Sequence, residues 1–173
     1  RDSVELISFF SVSKGFYGEC GKRGGYFHLT NVNEFGRQQL YKLASINLCS
    51  NVVGQEVMEL VVNPPQPGDA SYRLYAEEKQ SILGSLARKA KMLQKALNEC
   101  QGVTCTDAQG ALYLFPRLSL PRRFVEECET DQNKPDEVYC QRMLLKTGVC
   151  VIPGSGFGQR NGTYHYRIAF LPA

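Results

Sequence analysis

The chain has 173 residues, 43% of them hydrophobic and 21% charged, the profile of a globular protein with room for one ordinary domain or two small ones. Its formal net charge of +3 is too weak to argue for a nucleic-acid partner, and no apolar run reaches the roughly 18 residues of a membrane span. Seven cysteines, an odd number without a Cys-x-x-Cys pair or zinc-type His/Cys spacing, argue against a disulfide framework or a structural metal and for reduced intracellular thiols.

The opening Arg1-Asp2-Ser3, followed at once by Val4-Glu5-Leu6-Ile7-Ser8-Phe9-Phe10, reads as the approach to a buried strand rather than as a free terminus. The chain also ends on the strand-like run Arg167 to Ala173, so both termini are expected to lie inside a longer protein. Residues 1–13 lack the basic-then-apolar layout of a targeting segment.

A strand is predicted over residues 4–12, a loop over 13–25 and a second strand over 24–32. Residues 33–50 read as a helix capped by Asn33, with Leu40, Leu43, Ile46 and Asn47 at helical spacing. Another helix is predicted over 52–62, ended by Pro64-Pro65. The Asn63–Asp69 segment is punctuation, and a domain boundary is expected there, dividing the chain into 1–68 and 69–173. From Ala70 to Cys100, Leu74, Ile82, Leu86, Ala90, Leu93 and Leu97 mark one long amphipathic helix. Its Lys89, Lys91 and Lys95 read as part of a solvated face. Gly84 weakens that helix by roughly 1 kcal/mol relative to alanine and is a candidate bend.

Beyond it, Val103–Cys105 and Ala111–Phe115 read as strands around the Ala108-Gln109-Gly110 turn, with Pro116 closing the second. Residues 117–134 suit a surface loop with some helix, and 135–147 a helix opened by Pro135 and stopped by Gly148. Two more strands, Val149–Ile152 and Tyr164–Phe170, flank a glycine-rich loop over 153–163. Asn161-Gly162-Thr163 has the spacing of a glycosylation acceptor; without a secretory signal it reads as an ordinary turn.

The most telling segment is Ser11-Val12-Ser13-Lys14-Gly15-Phe16-Tyr17-Gly18-Glu19-Cys20-Gly21-Lys22-Arg23-Gly24-Gly25. Taken singly, Lys14 is a surface lysine in a turn. Beside Ser11, Ser13 and Arg23 it becomes the combination needed for a pyridoxal-phosphate (PLP) site, in which a lysine amine forms a Schiff base and must shed its proton near neutral pH. The apolar flanks Ile7, Phe9, Phe10 and Val12 are expected to promote this by desolvation. Hydroxyls, turn N–H groups and an arginine fork suit a phosphate.

Pro153-Gly154-Ser155-Gly156-Phe157-Gly158 departs from the dinucleotide fingerprint, since its last glycine falls one place early and a strand follows; it reads as a tight loop skirting a ligand or a neighbouring domain. Arg167, within an apolar strand, needs an anion, either an internal Asp or Glu or a substrate carboxylate. His165 alternates onto the same face as Arg167; neither it nor His28 is assigned a catalytic role.

Ser-x-Ser-Lys followed by a glycine-rich stretch and Arg-x-Gly resembles the lysine signature of class I aminotransferases, PLP enzymes of fold type I. The wording from Ser13 to Tyr26, with Leu48-Cys49-Ser50-Asn51, Val62-Asn63-Pro64-Pro65, Pro153 to Arg160 and Gly162 to Arg167, is similar to the alanine aminotransferase branch over essentially the whole chain. Arg23 stands nine residues after Lys14, one more than the general pattern but shared by that branch.

The resemblance implies an α/β fold: the C-terminal part of the large PLP-binding domain, joined by the long helix to the small α/β domain. It implies catalysis by Lys14 through the cofactor and the substrate Cα proton, phosphate binding by Ser11, Ser13 and Arg23, and capture of the α-carboxylate by Arg167. It implies alanine and 2-oxoglutarate as substrates, pyruvate and glutamate as products, no metal, and a homodimer. The family's remaining cofactor contacts come from a preceding segment, so this chain alone is expected to turn over poorly. A glutamate:glyoxylate aminotransferase, another fold type I PLP enzyme, or a catalytically silent interaction portion are the alternatives. The compartment is expected to be intracellular, cytoplasmic or mitochondrial.

Overall fold

The computed structural model describes residues 4–171; positions 1–3, 172 and 173 of the two terminal runs lie outside the described residues. The chain divides into two compact units, Arg1–Lys79 and Gln80–Ala173.

In the first unit, β1 (Leu6–Ser11) and β2 (Gly25–Thr30) form an antiparallel ladder from Leu6 opposite Thr30 to Ser11 opposite Gly25. Cross-strand aromatic pairs reinforce it, with Phe10 and Tyr26 rings 5.5 Å apart and Phe9 and Phe27 6.0 Å apart. The strand expected at 4–12 is therefore present, yet its expected burial is not: every residue of β1 is exposed, Phe9 by 78%. A two-stranded ladder satisfies one edge of each strand and covers neither face.

Helix α1 (Glu34–Ile46) starts where Asn33 Oδ1 accepts the Gly36 N–H at 2.8 Å. Helix α2 (Val52–Val62) is capped by Asn51 and ends ahead of Pro64-Pro65. Helix α3 (Tyr72–Glu99) runs unbroken through Gly84, and the division between the units falls within it. Lys95 meets Glu99 at 4.0 Å on its exposed face, a pair of the kind that adds little stability.

The second unit is built on a small antiparallel sheet in the order β3 (Val103–Thr104), β5 (Arg117–Leu118), β7 (Tyr164–Ala169), β4 (Tyr113–Leu114), with β6 (Ile152–Pro153) also paired to β7. Strand β5 falls in the predicted 117–134 loop; two residues are too few to show alternation, although Leu118 is buried at 4% exposure. Helix α4 (Arg122–Thr130) supplies the helix expected in that segment. Helix α5 (Pro135–Thr147) has Pro135 in its first turn and Gly148 in the left-handed conformation at its end, as the sequence predicts. Leu97, Val103, Leu114, Leu118, Tyr166 and Phe170 form the core, each side chain worth about 1.5–3 kcal/mol of burial. The fold is mixed α/β. All seven cysteines are free thiols, with Cys105, Cys128 and Cys140 buried, and burial raises the Cys140 thiol to about 11.

Candidate functional site

The lysine loop is closed by Val12, which is completely buried. Its N–H donates to the Gly24 carbonyl at 3.1 Å and its carbonyl accepts the Glu19 N–H at 2.9 Å, so residues 13–18 form a loop clamped at both ends. Gly15 and Gly18 turn with φ of 69° and 62°, the left-handed region that glycine enters without penalty. On one side Phe16 and Tyr17 lie 4.1 Å apart, and Lys79 of α3 rests over the Phe16 ring at 5.9 Å and the Tyr75 ring at 5.4 Å. Burial, helped by a hydrogen bond to Tyr75, raises the Tyr17 phenol.

Three of the predicted anion-binding residues converge here. The Ser13 N–H donates to Ser11 Oγ at 3.1 Å, and Arg23 donates to Ser13 Oγ at 3.4 Å and to the Cys20 carbonyl at 2.8 Å. Arg23 itself holds φ 54° where a 3-10 turn, Cys20–Lys22, ends. Two hydroxyls, a guanidinium and a turn with glycines around it are a donor set suited to a phosphate. Lys14 sits in the same loop and is exposed. The expected apolar wrapping is not seen: Ile7, Phe9 and Phe10 are themselves 39%, 78% and 38% exposed, since the ladder leaves its faces open.

What fixes the Arg23 turn is α2, a role that residue types alone do not disclose. Asn51 both accepts the Val53 N–H at 3.2 Å and donates to the Lys22 carbonyl at 2.7 Å, joining helix cap to turn. Gly54 lies flat against it: a Cβ on Gly24 would stand 2.6 Å from the Gly54 carbonyl oxygen, and one on Gly54 3.0 Å from the Arg23 carbonyl oxygen. Backbone meets backbone, so neither side can yield. Gly24→Ala is therefore expected to cost about 1–3 kcal/mol, read as a lower urea midpoint. An unchanged midpoint would mean that this contact does not hold the turn. A cleft of about 420 Å³ lies beside it, lined by Arg23, Gly25, Tyr26, Asn51 and Met58.

Arg167 belongs to the other unit, on β7 opposite Ile152. Its guanidinium carbon lies 4.4 Å from the Tyr113 ring centre and 4.8 Å from that of Phe157, a cation over two aromatic rings. Among the described residues none of the ion pairs involves it. Of the two anions the sequence left open, the internal acid is thus not found there. His165 shares the face, stacked on Phe115 at 4.9 Å, while Phe115 meets Phe157 edge-on at 5.8 Å. Burial and then Arg117 lower the His165 pKa below the ordinary histidine range, against an opposing pull from Asp136.

Asp136 escapes the sequence reading. It is 1% exposed, and its Oδ2 accepts the Ser155 N–H at 2.6 Å and Gln159 Nε2 at 3.2 Å. Because a carboxylate only accepts, Gln159 must turn its amide oxygen to His165 Nδ1, 3.0 Å away, which therefore carries the ring proton. The one available signal was an acid in the first turn of a helix.

A protein-family model described as "Aminotransferase class I and II" matches residues 1–173. Among curated relatives, "Alanine aminotransferase 2, mitochondrial" of Arabidopsis thaliana is 54% identical over 98% of this chain and 31% of its own length. "Alanine aminotransferase 1" of Homo sapiens is 50% identical over 97% of this chain and 34% of its own. The chain thus spans about a third of the curated relatives it matches. Among solved structures, an alanine aminotransferase from Pyrococcus furiosus superposes with a TM-score of 0.77 at 27% identity, covering 99% of this chain and 39% of that one. An Escherichia coli aminotransferase gives 0.72 at 24% identity, over 99% and 39%, a likeness of fold. The lysine loop, the folding pattern around it and a family match that spans every residue lead to one statement: the chain belongs to the class I and II aminotransferases.

Proposed function

We propose that this chain supplies the cofactor-anchoring lysine and the carboxylate-binding arginine of a PLP-dependent transaminase that exchanges the amino group of L-alanine with 2-oxoglutarate. The carrying observation is the convergence of Ser11, Ser13 and Arg23 on the loop that holds Lys14. Relatives 46–54% identical and named alanine aminotransferases support the choice of substrates.

The donor set fits the phosphate of PLP: neutral hydroxyls and one guanidinium, on a turn that Gly24 packs against Gly54. Bound there, the cofactor supplies an electron sink that makes the substrate Cα–H acidic. Lys14 would hold it covalently through Nζ and, once displaced by the substrate amine, would carry the proton to and from the substrate Cα. Ser11, Ser13 and Arg23 would keep the phosphate in place. Arg167 would take the α-carboxylate of alanine, glutamate or the matching 2-oxo acids, its fork matching two carboxylate oxygens. The two rings that flank it are uncharged and do not compete with a carboxylate for its N–H groups. We infer a homodimer for the full-length protein, in keeping with its family.

Borohydride reduction of the full-length protein after brief exposure to limiting PLP, followed by peptide mapping of every lysine, tests the reading. Pyridoxyl label concentrated on Lys14 is expected. Label spread evenly over surface lysines such as Lys89, Lys91 and Lys146 would overturn it.

A further inference from the structure

Apart from Phe157, the glycine-rich turn of residues 153–159 has no part in the chemistry assigned so far, and the buried carboxylate Asp136 has none either. The two are joined. Asp136 stands in the first turn of α5, where the unpaired N–H groups of the helix favour negative charge. Burying a carboxylate is costly, and a solvated acid in the first turn, such as Glu137, would favour the helix end without that cost, so helix formation alone does not explain a carboxylate 1% exposed. What the carboxylate supplies is a fixed acceptor for two groups: the Ser155 N–H at 2.6 Å, inside the 3-10 turn Gly154–Phe157, and Gln159 Nε2 at 3.2 Å.

Each leads to the arginine slot. The turn ends in Phe157, one wall of the slot. Gln159 holds His165, whose ring stacks on Phe115, which in turn meets Phe157 edge-on. The packing leaves no room at Gly154, where a Cβ would collide with Gln159 Oε1 and stand 2.8 Å from His165 Cβ. Glu137 adds a second tie, accepting Ser155 Oγ–H at 3.2 Å while pairing with Lys134 at 2.8 Å. Pro153 and Ile152, on the strand that pairs with β7, carry the turn directly from the register of Arg167.

We propose that Asp136 is a positioning residue for Arg167: through Ser155 and Gln159 it holds Phe157, Phe115 and His165 as one aromatic frame that aims the guanidinium at the substrate carboxylate. This rests on Arg167 as the carboxylate-binding group, and makes the Gly-Ser-Gly-Phe-Gly-Gln turn part of substrate affinity rather than cofactor affinity.

The test uses full-length holoenzyme and 2-methylalanine, a substrate analogue without a Cα hydrogen, with its Kd read from the cofactor absorbance. Asp136→Ala and Gln159→Ala are each expected to weaken 2-methylalanine about tenfold or more, as small misplacement of a binding group does. PLP affinity should stay within about twofold, because the phosphate-binding residues lie elsewhere, and amide exchange should quicken at residues 155–157. Asp136→Asn should restore binding to within about threefold, since its amide oxygen can accept the same two hydrogen bonds. Arg167→Gln is the control and should weaken the analogue about 10–100-fold. Weakening by Arg167→Gln but not by Asp136→Ala or Gln159→Ala would overturn the positioning role and leave the transaminase reading standing. No effect of Arg167→Gln would sink the reading of Arg167 itself. If Asp136→Ala does not fold, Gln159→Ala decides, because it removes the link without emptying the buried carboxylate site. Equal loss of PLP and analogue affinity would mark the network as merely structural.

Discussion

Lys14→Arg in the full-length protein is expected to lower kcat/KM for alanine and 2-oxoglutarate by about 10³-fold or more. Arginine keeps the charge and much of the length of lysine, but its guanidinium stays protonated across the accessible pH range. It therefore can neither attack a carbonyl carbon nor accept a proton from the substrate Cα, and a positioned acid–base group alone contributes about 10²–10⁴-fold. Stability of the cofactor-free protein should hardly move. Lys14 is exposed, and the loop is closed by backbone bonds of Val12 to Gly24 and Glu19, which the substitution leaves intact. Exposed substitutions of that kind shift stability by about 0.5 kcal/mol at most. The pair of measurements is the steady-state rate with cofactor present and the thermal midpoint of the cofactor-free protein. A rate within tenfold of the unsubstituted enzyme would remove Lys14 from the chemistry; a collapsed midpoint would mean that the loop depends on the side chain after all.

Where local chemistry decides the structure, the sequence was readable. Helix α2 begins at Val52 and ends at Val62 as predicted because an asparagine cap and a Pro-Pro stop bracket it. Helix α5 follows Pro135 and halts at Gly148 for the same kind of reason. Of the two-residue strands, β3 and β4 lie within predicted strands and β6 overlaps one at Ile152, while β5 was read as loop, since pairing partners far along the chain, not alternation, create it. The burial of β1 was misjudged because an apolar strand signals a face that seeks cover, not whether the cover lies in the same unit.

The candidate site divides the same way. Ser11, Ser13, Lys14 and Arg23 are legible as residue types in a glycine-rich loop, and Arg167 as a cation in an apolar strand. The parts that hold them are not. Gly54 against Gly24 is a meeting of two backbones about thirty residues apart, and Asp136 with Gln159 and His165 is a chain of partners drawn from α5, a turn and β7. Such contacts leave no periodicity and no motif; they exist only once the fold brings them together.

Tyr166→Ala should be the most damaging single truncation in the second unit. Tyr166 is 2% exposed and lies in the middle of β7, the strand to which β4, β5 and β6 all pair. Its N–H donates to the Pro116 carbonyl at 3.3 Å, and its ring stacks on Tyr139 of α5 at 6.2 Å, tying the helix to the sheet. Burial drives its phenol far above the ordinary tyrosine range, so the group stays neutral and the loss on truncation is one of packing. Removing a buried aromatic ring costs about 3–5 kcal/mol, a large part of the 5–15 kcal/mol that typically holds a protein folded. Because Tyr166 lies between His165 and Arg167, the damage should reach function too: loosening β7 lets the guanidinium drift from its aromatic slot, and analogue affinity should fall along with the melting temperature. Tyr166→Phe keeps the ring, its stacking on Tyr139 and the backbone bond to Pro116, and should cost much less, about 1 kcal/mol. Urea unfolding of the three proteins measures this directly. A Tyr166→Ala loss below that of Tyr166→Phe would mean that β7 is not the centre of this unit, and that the position of Arg167 is set by the loops around it instead.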